Sequence, residues 1–236
     1  MKFSSPLIPA TLIRRYKRFL ADVILETGDQ VTVHTPNTGT MLGCAEPGSR
    51  VWLQDSGNPA RKDPLGWELS TAQVGTLIGV NTHLANQLVQ EGIETGTIVE
   101  LQGYASLRRE VRYGDEGSRI DLLLQHAARP ACYVEVKNVT LLRDAGVAAF
   151  PDAVSQRGSK HLRELTGLVR QGYRAVLLFC VQRADAEKVE PARDIDPVYA
   201  DTLADAVDQG VEVLAYWADV SPTEVTLQTR LPFQLA

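Results

Sequence analysis

The chain has 236 residues, 44% of them hydrophobic and 22% charged, a balance that excludes extended disorder, collagen and coiled coil and leaves room for two small domains. Its three cysteines, Cys44, Cys132 and Cys180, form no even disulfide set and no Cys-x-x-Cys pair, which points to a reducing cytoplasm. A net charge of −5 makes it a poor polyanion binder in bulk, so contact with nucleic acid must come from a local patch or a bound metal.

At the N-terminus, Pro6 and Pro9 interrupt a short apolar stretch and the cations follow it, the reverse of a secretory leader, so the mature chain is expected to start at Met1. Arg14, Arg15, Tyr16, Lys17 and Arg18 then place four cations and one aromatic ring in five residues. That density fits phosphate contacts with base stacking on Tyr16, and it fits equally a strand edge protected by charge. Short β-rich runs follow at 19–25, 30–33, 50–54 and 67–74, with Thr27-Gly28-Asp29 as a hairpin turn. With the basic cluster entering the first of them, they fit a five-stranded OB-like β-barrel over residues 1–80. The loop from His34 to Thr40 has the Pro and Gly of a sharp turn, and its donors could also hold a phosphate. No bilayer span is expected, because even the longest run without Asp, Glu, Lys or Arg, from Leu69 to Gln90, carries ten polar side chains.

The hydrophobic period changes near residue 80, where a second domain, residues 81–236, is expected to begin. Asn81 or Thr82 can cap a helix bearing Leu84, Leu88 and Val89 on one side. β segments are expected around 97–101 and 105–113. Two further runs, 119–125 and 132–137, read as an antiparallel pair joined by a six-residue turn with Pro130. A helix over 154–171 buries Leu162, Leu165 and Val169 and ends at Gly172. The run 175–181 is continuously apolar, as a strand covered on both faces should be. Asp196-Pro197 starts a helix with Tyr199, Leu203 and Val207, Gly210 stops it, and 211–217 is a last strand. The sum is an α/β (α+β mixed) domain with a mixed sheet.

The chemistry concentrates in the strand pair. Side chains alternate along a strand, so Glu135 and Lys137 share one face while Val134 and Val136 take the other. Asp121, between Ile120 and Leu122 and opposite in facing to both, meets Glu135 across the ladder in a suitable register. Two carboxylates so placed repel unless a cation neutralises them, which makes Mg²⁺ a natural occupant with Asp121 and Glu135 as ligands. Lys137 could then orient or deprotonate a water attacking a phosphodiester.

The spacing of Asp121, thirteen residues, then Glu135-x-Lys137 resembles the PD-(D/E)XK nuclease signature, and Glu110, eleven residues before Asp121, matches that family's upstream acid. A cross-strand ion pair is the bland reading of an isolated Glu-x-Lys. The apolar Val134 and Val136, and a following helix with Gln156, Arg157, Lys160 and His161, favour the nuclease. In such nucleases that helix brings a Gln or Lys to the site, which implies Gln156. His161 reads as a solvated or packed histidine, not a ligand.

Over nearly its full length the chain also resembles the sugar fermentation stimulation protein A family. The resemblance rests on RRYKRFLADV from Arg14, HTPNTGTM from His34, SRIDLLL from Ser118, YVEVKNVTL from Tyr133, FPDAVSQRGSKHLREL from Phe150, IDPVYADTL from Ile195 and GVEVLAYW from Gly210. It implies an OB-like barrel followed by a PD-(D/E)XK nuclease-like domain, DNA binding with little sequence preference, and a role in regulating sugar, especially maltose, catabolism. Carried over by position, the site would be Glu110, Asp121, Glu135 and Lys137, with Asp152 and Gln156 nearby; many relatives are expected to carry Glu in place of Gln156. Mg²⁺ or Mn²⁺ is the expected cofactor and DNA the expected partner, with RNA or an inactive DNA-binding regulator as alternatives.

Overall fold

Leu12, Val23, Val33, Val51, Leu53 and Trp67, none more than 1% exposed, fill one interior in the first third of the chain. In the computed structural model, which describes residues 1–58, 60, 62–72, 74–114, 117–143 and 146–235, they come from β1 (Ile8–Tyr16), β2 (Leu20–Leu25), β3 (Gln30–His34), β4 (Arg50–Asp55) and β5 (Leu65–Thr71). β1 pairs antiparallel with β2 and with β4, β2 with β3, and β4 with β5. β3 meets β5 in parallel at His34 and Gly66, which closes the OB-like barrel. The short β6 (Leu77–Gly79) extends β5 toward the second half.

Local chemistry sets the turns. Gly28 takes φ +91°, and the Leu25 and Gly28 N–H groups bond across the β2–β3 turn to Asp29 and Leu25 carbonyls at 2.9 Å. The basic cluster does not enter β2. Arg14 to Tyr16 end β1, a strand the sequence reading passed over, and Lys17 and Arg18 make its turn with φ of 49° and 64°.

The second half begins at α1 (Thr82–Glu94), whose N-cap Asn81 accepts the His83 N–H at 2.9 Å. Then come β7 (Ser106–Tyr113), β8 (Ser118–His126), β9 (Arg129–Val139), β10 (Leu141–Leu142), β11 (Val147–Phe150), α2 (Gln156–Arg170), β12 (Arg174–Val181), β13 (Lys188–Pro191), α3 (Pro197–Asp208), β14 (Glu212–Val220) and β15 (Val225–Arg230). The main sheet has the order β15-β14-β12-β9-β8-β7, parallel between β9, β12 and β14 and antiparallel elsewhere, and β10, β11 and β13 form a small second sheet. β12 explains its own composition. Val176, Leu178 and Cys180 join the core under α1, while Ala175, Leu177, Phe179 and Val181 join the core under α2 and α3.

Other segments differ from the sequence reading as well. The segment near 97–101 is a 3₁₀ turn (Val99–Leu101), because Ile98 and Leu101, three apart, are both drawn into the core beneath α1. The β8–β9 connection is a two-residue turn between His126 and Arg129, and the register slips by one residue there, accommodating Pro130, which has no N–H to give. All three cysteines are buried and free, and burial pushes each thiol up to about 12. Among the described residues no helix is long and apolar enough to cross a membrane.

Candidate active site

The β8–β9 ladder stops at Leu122 and Val134. One residue further, the Val136 N–H donates to Asp121 Oδ2 at 2.7 Å, so a carboxylate stands where a ladder carbonyl would. Ile120 packs into the core under α2 and Leu122 into the core under α1. The alternation therefore slips at Asp121, which corrects the expectation that it faces away from both neighbours. Asn86 of α1 donates to the other oxygen, Oδ1, at 2.8 Å. Burial, and then the Glu135 charge, push Asp121 up to about 6 against these hydrogen bonds and the pull of Lys137.

Glu135 is 2% exposed. Lys137 Nζ donates to its Oε1 at 2.6 Å, and His161 Nδ1 of α2 contacts the same oxygen. Its Oε2 is buried with no partner among the described residues. Burial works to raise the Glu135 carboxyl, but Lys137 and His161 outweigh it and hold the group below the usual range. Two carboxylates, one offering a buried unbonded oxygen, could hold a hard divalent cation that completes its shell with water and substrate oxygens. A closed, multi-ligand site is not what they build: among the described residues no group of three or more His, Cys, Asp or Glu is arranged for a metal.

Asp121, Glu135 and Lys137 line a cleft of about 910 Å³, with Glu110, Gln156, Arg157 and His161 on the same side. Glu110 is exposed and, by the pairs Arg109 with Leu122 and Val111 with Ile120, lies beside Asp121. Its φ of +52° is a left-handed conformation that a glutamate rarely adopts within a strand. Gln156 is exposed on the first turn of α2, behind the N-cap Ser155.

The opposite wall belongs to the barrel and includes Arg15, Tyr16, Arg18 and the loop 36–40. The cluster residues divide into distinct roles. Arg15 Nη2 donates to the carbonyls of Asn37 and Gly39 at 2.8 Å each, and Nη1 to Thr40 at 3.3 Å. Arg14 bonds Asp22 at 2.9 Å and lies over the Tyr16 ring at 5.1 Å, while the Tyr16 hydroxyl donates to Asp22 at 3.0 Å. Tyr16 is therefore half-buried and covered on one face, whereas Lys17 and Arg18 are exposed at the turn. The 36–40 loop spends its donors on the protein. The Gly39 N–H goes to Asn37 Oδ1 at 2.9 Å, and just beyond the loop the Met41 N–H goes to Asp152 Oδ2 at 2.8 Å, while Thr40 Oγ1 reaches the Asp152 carbonyl at 2.5 Å. It docks the barrel on the turn that leads into α2.

Two residues of this site escaped the sequence reading. Asn86 is 35 positions from Asp121 and carried no motif. His161 reads from the sequence as solvated or packed, although its helical spacing of four from Arg157 puts both on one face.

An OB-like barrel closing one side of a cleft, with the carboxylate and lysine corner of a mixed sheet on the other, defines a class of two-domain proteins joining an OB fold to a nuclease-like α/β domain. Family models agree: residues 13–80 match the SfsA N-terminal OB domain and residues 83–224 the sugar fermentation stimulation protein RE domain. The chain belongs to the sugar fermentation stimulation protein family, whose membership implies a function related to sugar fermentation. It is 56% identical over 236 residues to a homolog from Thioalkalivibrio sulfidiphilus, covering 100% of this chain and 99% of that one. A homolog from Geobacter sp. (strain M21) is 60% identical over 235 residues, with 100% of both chains covered. Pyrococcus furiosus SfsA, solved in complex with Ca²⁺, superimposes with a TM-score of 0.89 at 28% identity, covering 99% of this chain and 98% of that one.

Proposed function

We propose that this protein is a divalent-cation-dependent phosphodiesterase acting on DNA with little sequence preference, serving the regulation of sugar, especially maltose, catabolism. One observation carries the reading: Asp121, Glu135 and Lys137 share a single cleft with the exposed cation Arg18 of the barrel. Asp121 and Glu135 would hold Mg²⁺ or Mn²⁺, and a relative solved with Ca²⁺ supports a hard cation in this fold. When bound, such an ion polarises a phosphodiester and offsets the negative charge that develops on it. Lys137 directs an ammonium at the developing charge, and Asn86 and the Val136 N–H hold Asp121 in place. Arg18 and Lys17 give the approaching strand its phosphate contacts. Lys137, Glu110 and Gln156 are the remaining candidates for steering the attacking water, Glu110 from before Glu135 in sequence and Lys137 and Gln156 from after it.

A second reading rests on the 2.6 Å contact of Lys137 with Glu135: an inert ion pair in a DNA-binding regulator that kept the fold without turnover. The deciding experiment is incubation of the purified chain with labelled single- and double-stranded DNA and RNA in Mg²⁺, Mn²⁺ or EDTA. Cation-dependent cleavage of DNA supports the proposal. Binding without cleavage supports the second reading, and cleavage of RNA alone moves the substrate to that polymer.

A further inference from the structure

We infer that His161 is a positioning residue for Glu135: held in one tautomer by Arg157, it grips one carboxylate oxygen so that the other stays aimed into the cleft. The inference rests on the cation reading above for what Oε2 receives, but its geometry does not.

The chain of hydrogen bonds runs in one direction. Arg157 Nε donates to His161 Nε2 at 3.3 Å. A guanidinium is always protonated and has no acceptor, so Nε2 must accept and the ring proton of the neutral imidazole lies on Nδ1. Nδ1 faces Glu135 Oε1, the oxygen that Lys137 also binds at 2.6 Å. Lys137 Nζ and His161 Nδ1 are 3.5 Å apart, two donors turned on one acceptor. Both spare donors go to Oε1, and among the described residues none goes to Oε2. Burying an oxygen without a partner is unfavourable, so Oε2, bare among the described residues, is the atom of this carboxylate left to meet a ligand.

Lys137 alone would not fix this choice. Its ammonium ends a flexible stem and can follow the carboxylate as it turns. His161 is 5% exposed, sits on α2 and is braced from behind by Arg157, so the oxygen it holds cannot exchange with its twin unless the helix moves. A histidine that merely fills the core would serve as well in any tautomer.

Two measurements test this on the full-length chain. Long-range proton–nitrogen correlation spectra of the histidine-labelled protein without metal should show His161 with its proton on Nδ1; a proton on Nε2 in the wild type overturns the inference. Mn²⁺ titration calorimetry then compares side chains. Asparagine places an amide nitrogen near the position of Nδ1 and glutamine near that of Nε2. His161→Asn should bind Mn²⁺ within about twofold of wild type, while His161→Gln and His161→Ala lose about tenfold or more, the range seen when partners behind a metal ligand are removed. Equal affinity in the alanine variant, with its melting curve showing a folded protein, overturns the inference. A wild type that takes up no Mn²⁺ defeats the cation reading alone, and the tautomer then decides for or against His161 as the residue that fixes Glu135.

Discussion

Asp121 Oδ2 accepts the Val136 N–H at 2.7 Å, so a side chain of β8 completes the hydrogen bonding of β9 just where their ladder has ended. The bond holds an acid among groups that resist its charge, with burial the largest of them. Between the ordinary aspartate value, near 4, and about 6, the folded chain binds a proton at this site more tightly than the unfolded chain does. Stability from this group is therefore greatest below pH 4 and is lost as pH rises through 6, by on the order of 2–3 kcal/mol. Asp121→Asn lacks that titration; its single amide oxygen can keep the Val136 N–H while Asn86 turns its own amide to suit. Urea unfolding of both proteins at pH 4, 5, 6 and 7, in EDTA, should show the difference shifting in favour of the asparagine variant as pH rises to 6. A difference that stays flat across the series counts against the raised acid.

Cation binding should separate the same two proteins in the other direction. At neutral pH, Mn²⁺ or Mg²⁺ at a hundredfold its dissociation constant should stabilise the wild type by about 2.7 kcal/mol, because only the folded chain presents the pair. Asp121→Asn should remove most of that shift in thermal melts. Identical melting curves for the wild type with and without the ion would dispose of the two-carboxylate site.

Lys137→Met keeps the length and packing of the side chain and removes its charge. DNA affinity should change little, whereas any cleavage rate should fall by at least about a hundredfold, since the ammonium is assigned to charge that appears only in the transition state. Single-turnover kinetics at saturating DNA make the comparison. An unchanged rate would return Lys137 to the role of an ion-pair partner.

The basic cluster should divide under mutation. Lys17→Ala and Arg18→Ala should each flatten the dependence of log K on log salt by about 0.9 for duplex DNA, provided each meets a phosphate. Arg15→Ala should instead lower stability by about 1–3 kcal/mol, because the Asn37, Gly39 and Thr40 carbonyls lose their donor. Salt titrations and urea melts on the three variants would show whether one residue does the other's work.

Gly39 gives a fifth test. A Cβ there would stand 2.5 Å from both Asp152 carboxylate oxygens, so Gly39→Ala must push the 36–40 loop off the turn before α2. The expected loss is about 1–3 kcal/mol, and in an Asp152→Ala background it should be much smaller, since the obstructing group is gone. Additive losses in the double-mutant cycle would mean that this close approach does not set the contact.

What could be read from the sequence follows from the range of the forces involved. β12 announces itself because both its faces are covered, and Glu135-x-Lys137 because its neighbours Val134 and Val136 alternate with it. Asp196 and Asn81 cap the helices they precede, as local hydrogen bonding requires. Asn86 and Asp121 meet only because α1 packs under the sheet, and no pattern near either residue encodes that. The division of labour within Arg14 to Arg18 was equally hidden. Five adjacent residues share a composition, but Asp22, Thr40 and open solvent sort them after folding. The turn of Ile120 and Leu122 into opposite cores is likewise a product of the strand splay that a simple alternation rule passes over.

The cleft with one wall from each half has a consequence for dissecting the molecule. Leu7 and Leu69 of the first half share a core with α1, β8 and β9 of the second, and Met41 is tied to Asp152. A fragment cut near residue 80 would keep every acid of the site yet lose the face that confines it, and would lay apolar surface open to water. An inactive C-terminal fragment would thus report the missing enclosure and say nothing about the competence of Asp121, Glu135 and Lys137.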